Sequence, residues 1–282
     1  VQLDAQDALL QRQLFARLRT CGQAEAAALN APLSVEEVAA AMQLPRGKAA
    51  DLQGLTGEAL RAAAVADAVR PGGIMCGAFV ECVRWLLQRV FDGDALPAPM
   101  RVSKLVPVPK PGQAASPRDM HLYRGICVSS MLSRVWDRVL FRRLNSLAEQ
   151  QGLRTPTQCG FRPGHGTLDA VYTLQHVCDS YRAQRRLVYA VFVDFTKAFD
   201  LVDRGLLLER CRALGISGAC MRALEALYQR VLLRVAVGGQ AGREFASHVG
   251  TKQGNVLSPL LFGWSIEVLQ ERGLSRCWRA CV

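Results

Sequence analysis

The sequence predicts an α+β protein: an antiparallel sheet with helices packed on one face, preceded by a helical N-terminal segment. Three observations lead there. Residues 34–90 carry helix signals with little strand character. Leu187-Val-Tyr-Ala-Val-Phe-Val193 is an unbroken apolar, β-branched and aromatic run of strand length. Leu232–Val237, Gly238-Gly239 and Arg243–Val249 read as a hairpin around a glycine turn. The order strand, helices, hairpin, helix is that of helices laid against one face of a sheet.

Taken in order, Ser34-Val-Glu-Glu37 is a capping-box pattern opening a helix over Val35–Met42. Pro45 to Gly47 interrupts, a second helix covers Gly57–Val69 before Pro71-Gly72-Gly73, and a third covers Gly77–Val90. Asp92 to Pro99, rich in Pro and Gly, reads as a linker. Arg101–Lys110 is extended, and its prolines predict an edge strand. Leu132, Val135, Trp136, Val139, Leu140, Leu144 and Leu147 fall at helical spacing, with Arg134, Arg138 and Arg142 on a solvated flank. The Leu187–Val193 run predicts a strand buried on both faces. Asp203 caps a helix ending at Gly215, and Ser217 caps the next, to about Arg230. Ser258-Pro259 opens the last helix, which Gly273 stops.

The chain has 282 residues, half of them hydrophobic and 21% charged, a globular rather than disordered composition. No long uncharged apolar run predicts a membrane span, and the first ten residues lack a signal-peptide layout. The absence of an initiator Met suggests a fragment. The ten cysteines are scattered with no Cys-x-x-Cys pair, so buried free thiols in a reducing compartment are expected rather than zinc. Charge divides the chain into three segments. Residues 1–94 hold 9 basic and 11 acidic groups, residues 95–186 hold 14 and 5, and residues 187–282 hold 12 and 8. A block so basic favours a polyanion through phosphate neutralisation and counterion release.

Two segments bear chemistry. The predicted strand runs into Asp194-Phe-Thr-Lys-Ala-Phe-Asp200, and a carboxylate at a strand end is placed to hold a hard cation. By itself it reads as well as a turn residue or an ion-pair partner. Gly250-Thr-Lys-Gln253-Gly254 leads through Leu257-Ser258-Pro259 into a helix whose free N–H groups can face a phosphate or a base edge. By itself that is an ordinary capped helix.

Together the segments resemble the first two palm motifs of non-LTR (LINE-type) reverse transcriptases. The upstream chain follows the same order. Leu105-Val-Pro-Val-Pro-Lys110 is similar to the family's Ile-Pro-x-x-Lys fingers segment, and Tyr123-Arg124-Gly125-Ile126 to its Tyr-Arg-Pro-Ile. Gln158-Cys-Gly-Phe161-Arg162-Pro-Gly164 through Asp169-Ala170 resembles Gln-x-Gly-Phe-Arg-Pro-Gly-x-Ser-Thr-x-Asp-Ala, and Gly47-Lys48-Ala49 with Gly54-Leu55 resembles its entry loop more loosely. The resemblance implies a right-hand polymerase. Residues 1–94 would be a helical extension, 95–186 basic fingers and 187–282 a partial palm. It implies RNA-directed DNA synthesis by two-metal phosphoryl transfer with Mg²⁺. Asp194 and the Phe195 carbonyl would hold metal. Lys110 and Arg124 would clasp the incoming triphosphate, Phe199 would be the steric gate, and Gln253 and Gly254 would line the nucleotide. Phe161, Arg162 and Gly164 would lie along the template. The implied partners are template RNA, primer DNA and deoxynucleoside triphosphates, and the resemblance implies an intracellular, nuclear setting.

Gly125 and Val256 stand where the family commonly has Pro, and Asn255 and Ala50 replace other loop residues. The family's next palm motif, a Tyr-x-Asp-Asp or Phe-x-Asp-Asp hairpin completing the metal pair, is missing after Gly273. The expectation is therefore a chain that does not polymerise by itself, with the Leu187–Phe195 strand left with an open edge. The alternatives are an RNA-binding protein derived from such a polymerase without catalysis, and a group II intron maturase-like protein.

Overall fold

The computed structural model describes residues 22–68, 77–112, 116 and 118–269. Helices α1 (Gln23–Leu29), α2 (Val35–Met42), α3 (Gly57–Ala68), α4 (Ala78–Asp92) and the short α5 (Ala98–Arg101) come first. Strand β1 (Val102–Pro109), a 3-10 turn at Met120–Leu122, strand β2 (Tyr123–Ser129) and helix α6 (Met131–Gln150) follow. Helices α7 (Thr167–Ala183), α8 (Arg204–Ala213) and α9 (Gly218–Gln229) lead to strands β3 (Val231–Val237) and β4 (Gln240–Ser247), then helix α10 (Ser258–Leu269). The α+β class holds. The expected stops at Pro71–Gly73 and Gly273 lie outside the described residues.

The sheet corrects two expectations. Its order is β2-β1-β3-β4, so β1 is an interior strand rather than an edge. It pairs antiparallel with β2 and parallel with β3, which makes the sheet mixed rather than antiparallel. Interior placement tolerates the prolines because β1 shares only Val102–Leu105 with β3. Pro107 and Pro109 lie beyond that stretch and face only β2, so their missing N–H groups cost no ladder bond with β3. The β3–β4 hairpin turns at Gly238 and Gly239, both at positive φ (59° and 83°), the conformation that tight hairpins favour.

A third correction concerns residues 187–195, which form no strand and lie open to solvent: Leu187 is 79% exposed and Tyr189 87%. Among the described residues no strand pairs with this run. An apolar β-branched run reports what a partnered strand would bury, and no partner supplies the burial here.

The core joins α6 to the N-terminal helices and to α8, α9 and α10. Helix α6 buries Val135, Trp136, Val139, Leu140, Leu144 and Leu147 as its spacing predicts, and Trp136 meets Phe91 of α4 edge to face at 6.1 Å. Its basic flank is less solvated than expected. Arg134 donates to the Ser129 and Ala49 carbonyls at 3.2 and 3.1 Å, and only Arg142 of the three is exposed. Arg143 binds both carboxylate oxygens of Glu37 at 2.6 Å and reaches the Leu29, Ala31 and Pro32 carbonyls, which fixes α1 and α2 on α6.

Capping is partly local and partly long-range. Ser34 accepts from Glu37 N at 3.1 Å and Asp203 from Leu206 N at 3.0 Å, as expected. Ser217 occupies the cap position of α9 without a side-chain cap bond. Asn30, from the end of α1, supplies it instead by accepting from Cys220 N at 2.9 Å. Ser258 lies in the first turn of α10 and donates to the Lys252 carbonyl at 2.8 Å. Asp51 accepts from Gln53 N and Leu55 N and, across the fold, from Met131 N at 2.9 Å, so it ties the Gly47–Leu55 loop to the start of α6.

Two predictions follow from this packing. Gly218 sits at φ +64°, and a Cβ there would lie 2.7 Å from Asn30 Oδ1. Removing the Asn30 cap by Asn30→Ala is expected to cost about 1 kcal/mol, and Gly218→Ala to cost more because strain joins the lost cap; urea denaturation of each variant checks the ranking. Asp137 of α6 is buried beside Lys252 and Arg134, and burial raises its carboxyl to about 6 despite those cations. Between the ordinary carboxylate value, about 4, and about 6, the folded state holds the extra proton, so wild-type stability falls as pH rises. Asp137→Asn lacks that penalty and is expected to gain on wild type by on the order of 3 kcal/mol across this window. A pH-independent gap in denaturation curves would show an ordinary carboxylate.

Candidate active site

The candidate site is assembled where the loop after Asp194 meets the Gly250–Gly254 loop and strand β2. Phe199 O accepts from Thr251 N, and Val202 O from Gly250 N, both at 2.8 Å. On the other side Cys127 N of β2 donates to Gln253 O at 2.7 Å. Both approaches require glycine. Gly250 has φ +81°, and a Cβ on it would stand 2.6 Å from Asp200 O. Gly254 has φ +114°, and a Cβ on it would stand 2.7 Å from Cys127 O. Any other residue at either position meets both a left-handed backbone and a rigid carbonyl.

The loop is also held from below. Thr251, Lys252, Leu257 and Ser258 are buried, whereas Gln253 is half-buried and Gly254 exposed. Arg204 Nε donates to Gly250 O at 2.8 Å, and its Nη atoms donate to Ser247 O at 2.6 Å and Val249 O at 2.9 Å. The Arg204 guanidinium stacks over the Tyr228 ring at 5.6 Å. Burial lowers the Lys252 ammonium, and Asp137 opposes that shift. Asn255 accepts from Ser129 Oγ at 3.0 Å, joining the loop to β2 a second time. Burial likewise pushes the Cys127 thiol up to about 11, which keeps it neutral.

Three aromatic rings gather beside the loop. Phe199 packs on Phe262 of α10 at 4.8 Å and meets Phe161 edge to face at 6.2 Å. Phe161, at φ +55°, is 65% exposed, and Gly164 is also exposed with open space where a Cβ would stand. Four of the residues singled out from sequence, Phe161, Phe199, Gln253 and Gly254, therefore share one neighbourhood. Arg162 points elsewhere: its guanidinium pairs with Glu149 at 2.8 Å, and Glu149 also holds Arg154. Lys110 and Arg124 neighbour one another at the loop end of the β1–β2 hairpin, where Lys110 N donates to Leu122 O at 2.8 Å and Arg124 faces Val108.

Asp194 is exposed and has no ion-pair or hydrogen-bond partner among the described residues. Its carboxylate and the carbonyl of Phe195 are hard oxygen donors of the kind Mg²⁺ takes, so the chemistry of the donors fits that ion. They make part of a shell, since Mg²⁺ is held firmly only where several such oxygens converge. Among the described residues no group of three His, Cys, Asp or Glu side chains could hold a metal. Asp203 is committed to capping α8.

Sequence reasoning missed the supports. Arg204, Lys252 and Asp137 carry no local signal, because each acts on a segment distant in sequence. A charged residue expected on a solvated helix flank gives no hint that it is buried. The glycines at 250 and 254 were legible as a loop, but the carbonyls they approach were not.

Residues 108–278 match the family described as reverse transcriptase (RNA-dependent DNA polymerase). The Pol polyprotein of the R2DM type-2 retrotransposable element from Drosophila melanogaster is 29% identical over 215 residues, covering 74% of this chain and 20% of that one. The R2 Pol polyprotein of Popillia japonica is 29% identical over 175 residues, covering 62% and 24%. The RNA-directed DNA polymerase of the mobile element jockey from Drosophila melanogaster is 23% identical over 177 residues, covering 63% and 19%. The chain thus spans about a fifth to a quarter of the length of these curated relatives. With the family match covering most of the chain and the motif segments from β2 onward, this chain belongs to the reverse transcriptase family.

Proposed function

We propose that this domain adds deoxynucleotides to a primer 3′-hydroxyl on an RNA template, and that its reacting centre lies around Asp194, Phe199 and the Gly250–Gly254 loop. The observation that carries the proposal is the hydrogen-bonded seam between Phe199–Val202 and Gly250–Thr251, continued to β2 through Gln253 and Cys127. It brings segments far apart in sequence to one surface, where backbone and aromatic groups are fixed while a carboxylate stays open. Fixed surroundings with an open reacting group are what phosphoryl transfer needs, because positioning and charge stabilisation do most of the work.

In this reading Asp194 and the Phe195 carbonyl hold Mg²⁺, which when bound favours the ionised primer hydroxyl and offsets charge on the phosphates. Lys110 and Arg124, at the loop end of the hairpin, clasp the triphosphate; the Arg guanidinium suits bidentate phosphate contact. Phe199 is braced by Phe262, and its ring face crowds a ribose 2′-hydroxyl. Gln253 and Gly254 border the nucleotide, the glycine allowing close approach. Phe161 and Gly164 line the template path. Arg162 contributes there through a side chain already held by Glu149, so its part is to shape the path more than to neutralise phosphate. Template RNA, primer DNA and deoxynucleoside triphosphates are the partners of this reading, and the nucleus is its setting.

Asp194 provides one carboxylate, and a second must converge with it for tight metal binding. The purified 282 residues are therefore expected to show no Mg²⁺-dependent primer extension; extension would mean that another carboxylate of this chain completes the pair. RNA binding is the activity expected of the domain by itself. Its affinity for single-stranded RNA should fall steeply with salt, as several phosphate contacts require. Equal affinity at low and physiological salt would remove the basic block from the mechanism. Lys110→Ala with Arg124→Ala is expected to weaken triphosphate binding more than RNA binding, and equal losses in a titration would reassign both residues to the template.

A further inference from the structure

Behind the Gly250 loop, on the far side of Arg204, lies a cleft of about 790 Å³. Its walls come from the end of α4, the Gly93–Leu96 linker, α5, α8 and α9. That volume is in the range of sites that hold small molecules or single nucleotide units. The floor is apolar, with Val90, Leu96, Leu208 and Ala226, and the rim carries Arg101, Arg204, Arg222 and Arg230.

The charges on this rim are not balanced. The cleft's two carboxylates, Asp94 and Glu225, are already engaged by arginines outside it, Arg89 at 2.7 Å and Arg212. Arg204 uses its donors on the Ser247, Val249 and Gly250 carbonyls, and Arg101 uses Nε on Leu96 O at 2.6 Å. Arg222 and Arg230 are exposed and have neither an ion-pair nor a hydrogen-bond partner among the described residues. Two unengaged guanidinium groups over an apolar floor match a ligand with phosphates at its edge and a flat, weakly polar body.

Building on the reading of this domain as an RNA-using enzyme, we propose that the cleft is an accessory site for single-stranded RNA. One base lies on the Leu96–Leu208–Ala226 floor, and its flanking phosphates are held by Arg222 and Arg230. The site is separate from the proposed reacting centre and communicates with it through Arg204, which forms part of the cleft wall and also holds the Gly250 carbonyl. It would retain a stretch of the RNA outside the reacting centre.

The test uses the whole 282-residue protein and a fluorescein-labelled oligouridylate, with anisotropy titrations at several salt concentrations. Arg222→Glu with Arg230→Glu is expected to lower affinity roughly tenfold or more and to reduce the slope of log affinity against log salt by about 1–2. Arg222→Lys with Arg230→Lys should keep most of the affinity. With 4-thiouridine in the probe, the wild-type protein should crosslink within residues 93–96 or 222–230. Unchanged affinity and slope in the charge-reversal variant, or crosslinks confined to other segments, would overturn the proposal. So would displacement of the crosslinks by a polyglutamate peptide at concentrations where unlabelled RNA has no effect, since the cleft would then take an acidic protein segment. Loss on Lys110→Glu with Arg124→Glu but not on the cleft variant would remove the cleft alone. No RNA binding by the wild type at low salt would remove the underlying reading as well.

Discussion

The candidate site depends on one steric constraint: the Gly250–Gly254 loop lies against main-chain carbonyls on two sides. Asp200 O stands where a Cβ of residue 250 would be, and Cys127 O where a Cβ of residue 254 would be. Because both glycines also sit at positive φ, no other residue type relieves the crowding without moving a backbone segment. From this close approach follow the hydrogen bonds that join the segment after Asp194 to the loop, and the loop to β2. Those bonds in turn set Phe199 against Phe262 and leave Gln253 and Gly254 at the surface.

Beneath the loop the protein buries charge, which is costly unless partners are supplied. Lys252 and Asp137 lie in the interior within each other's influence, while Arg204 is spent on three backbone carbonyls. These groups act as supports that hold the loop's polar backbone away from water in a defined place. Asp194 and Arg124 stay exposed and Lys110 half-buried, and these are the side chains to which the proposed reading gives the chemistry. In that reading rigidity and chemistry are separated: buried ionic groups position the loop, and more open ones would bind.

The stretch from Phe161 to Phe195 is the physical opposite of that core. Leu168, Tyr172, Leu187, Tyr189, Val191 and Phe192 all stand largely in water. Apolar area left in solvent contributes none of the roughly 25 cal/mol per Å² that burial supplies, so within this chain α7 and the run after it draw little stability from packing. The well-packed half, α6 with the N-terminal helices and α8 to α10, therefore carries the fold. The cleft behind Arg204 is built entirely from that half.

The sequence by itself determined whatever is written in local pattern. Helical periodicity marked the buried stripe of α6. Ser34 and Asp203 marked helix starts, Gly238-Gly239 marked the hairpin, and the ordered motif segments marked the family. Each of these rests on neighbours within a few residues, where propensity and capping act. Tertiary structure alone decided what depends on partners. It placed β1 inside a mixed sheet, which two prolines had argued against, because the β3 pairing ends before they begin. It left Leu187–Val193 exposed, because hydrophobicity states a demand for burial and not the presence of a strand to meet it. It gave the cap of α9 to Asn30 from the other end of the chain and turned Arg204, Lys252 and Asp137 into supports for one loop. Long-range hydrogen bonds and close backbone approaches leave no periodic trace in sequence, and so the site's residues could be named from sequence while the geometry joining them could not.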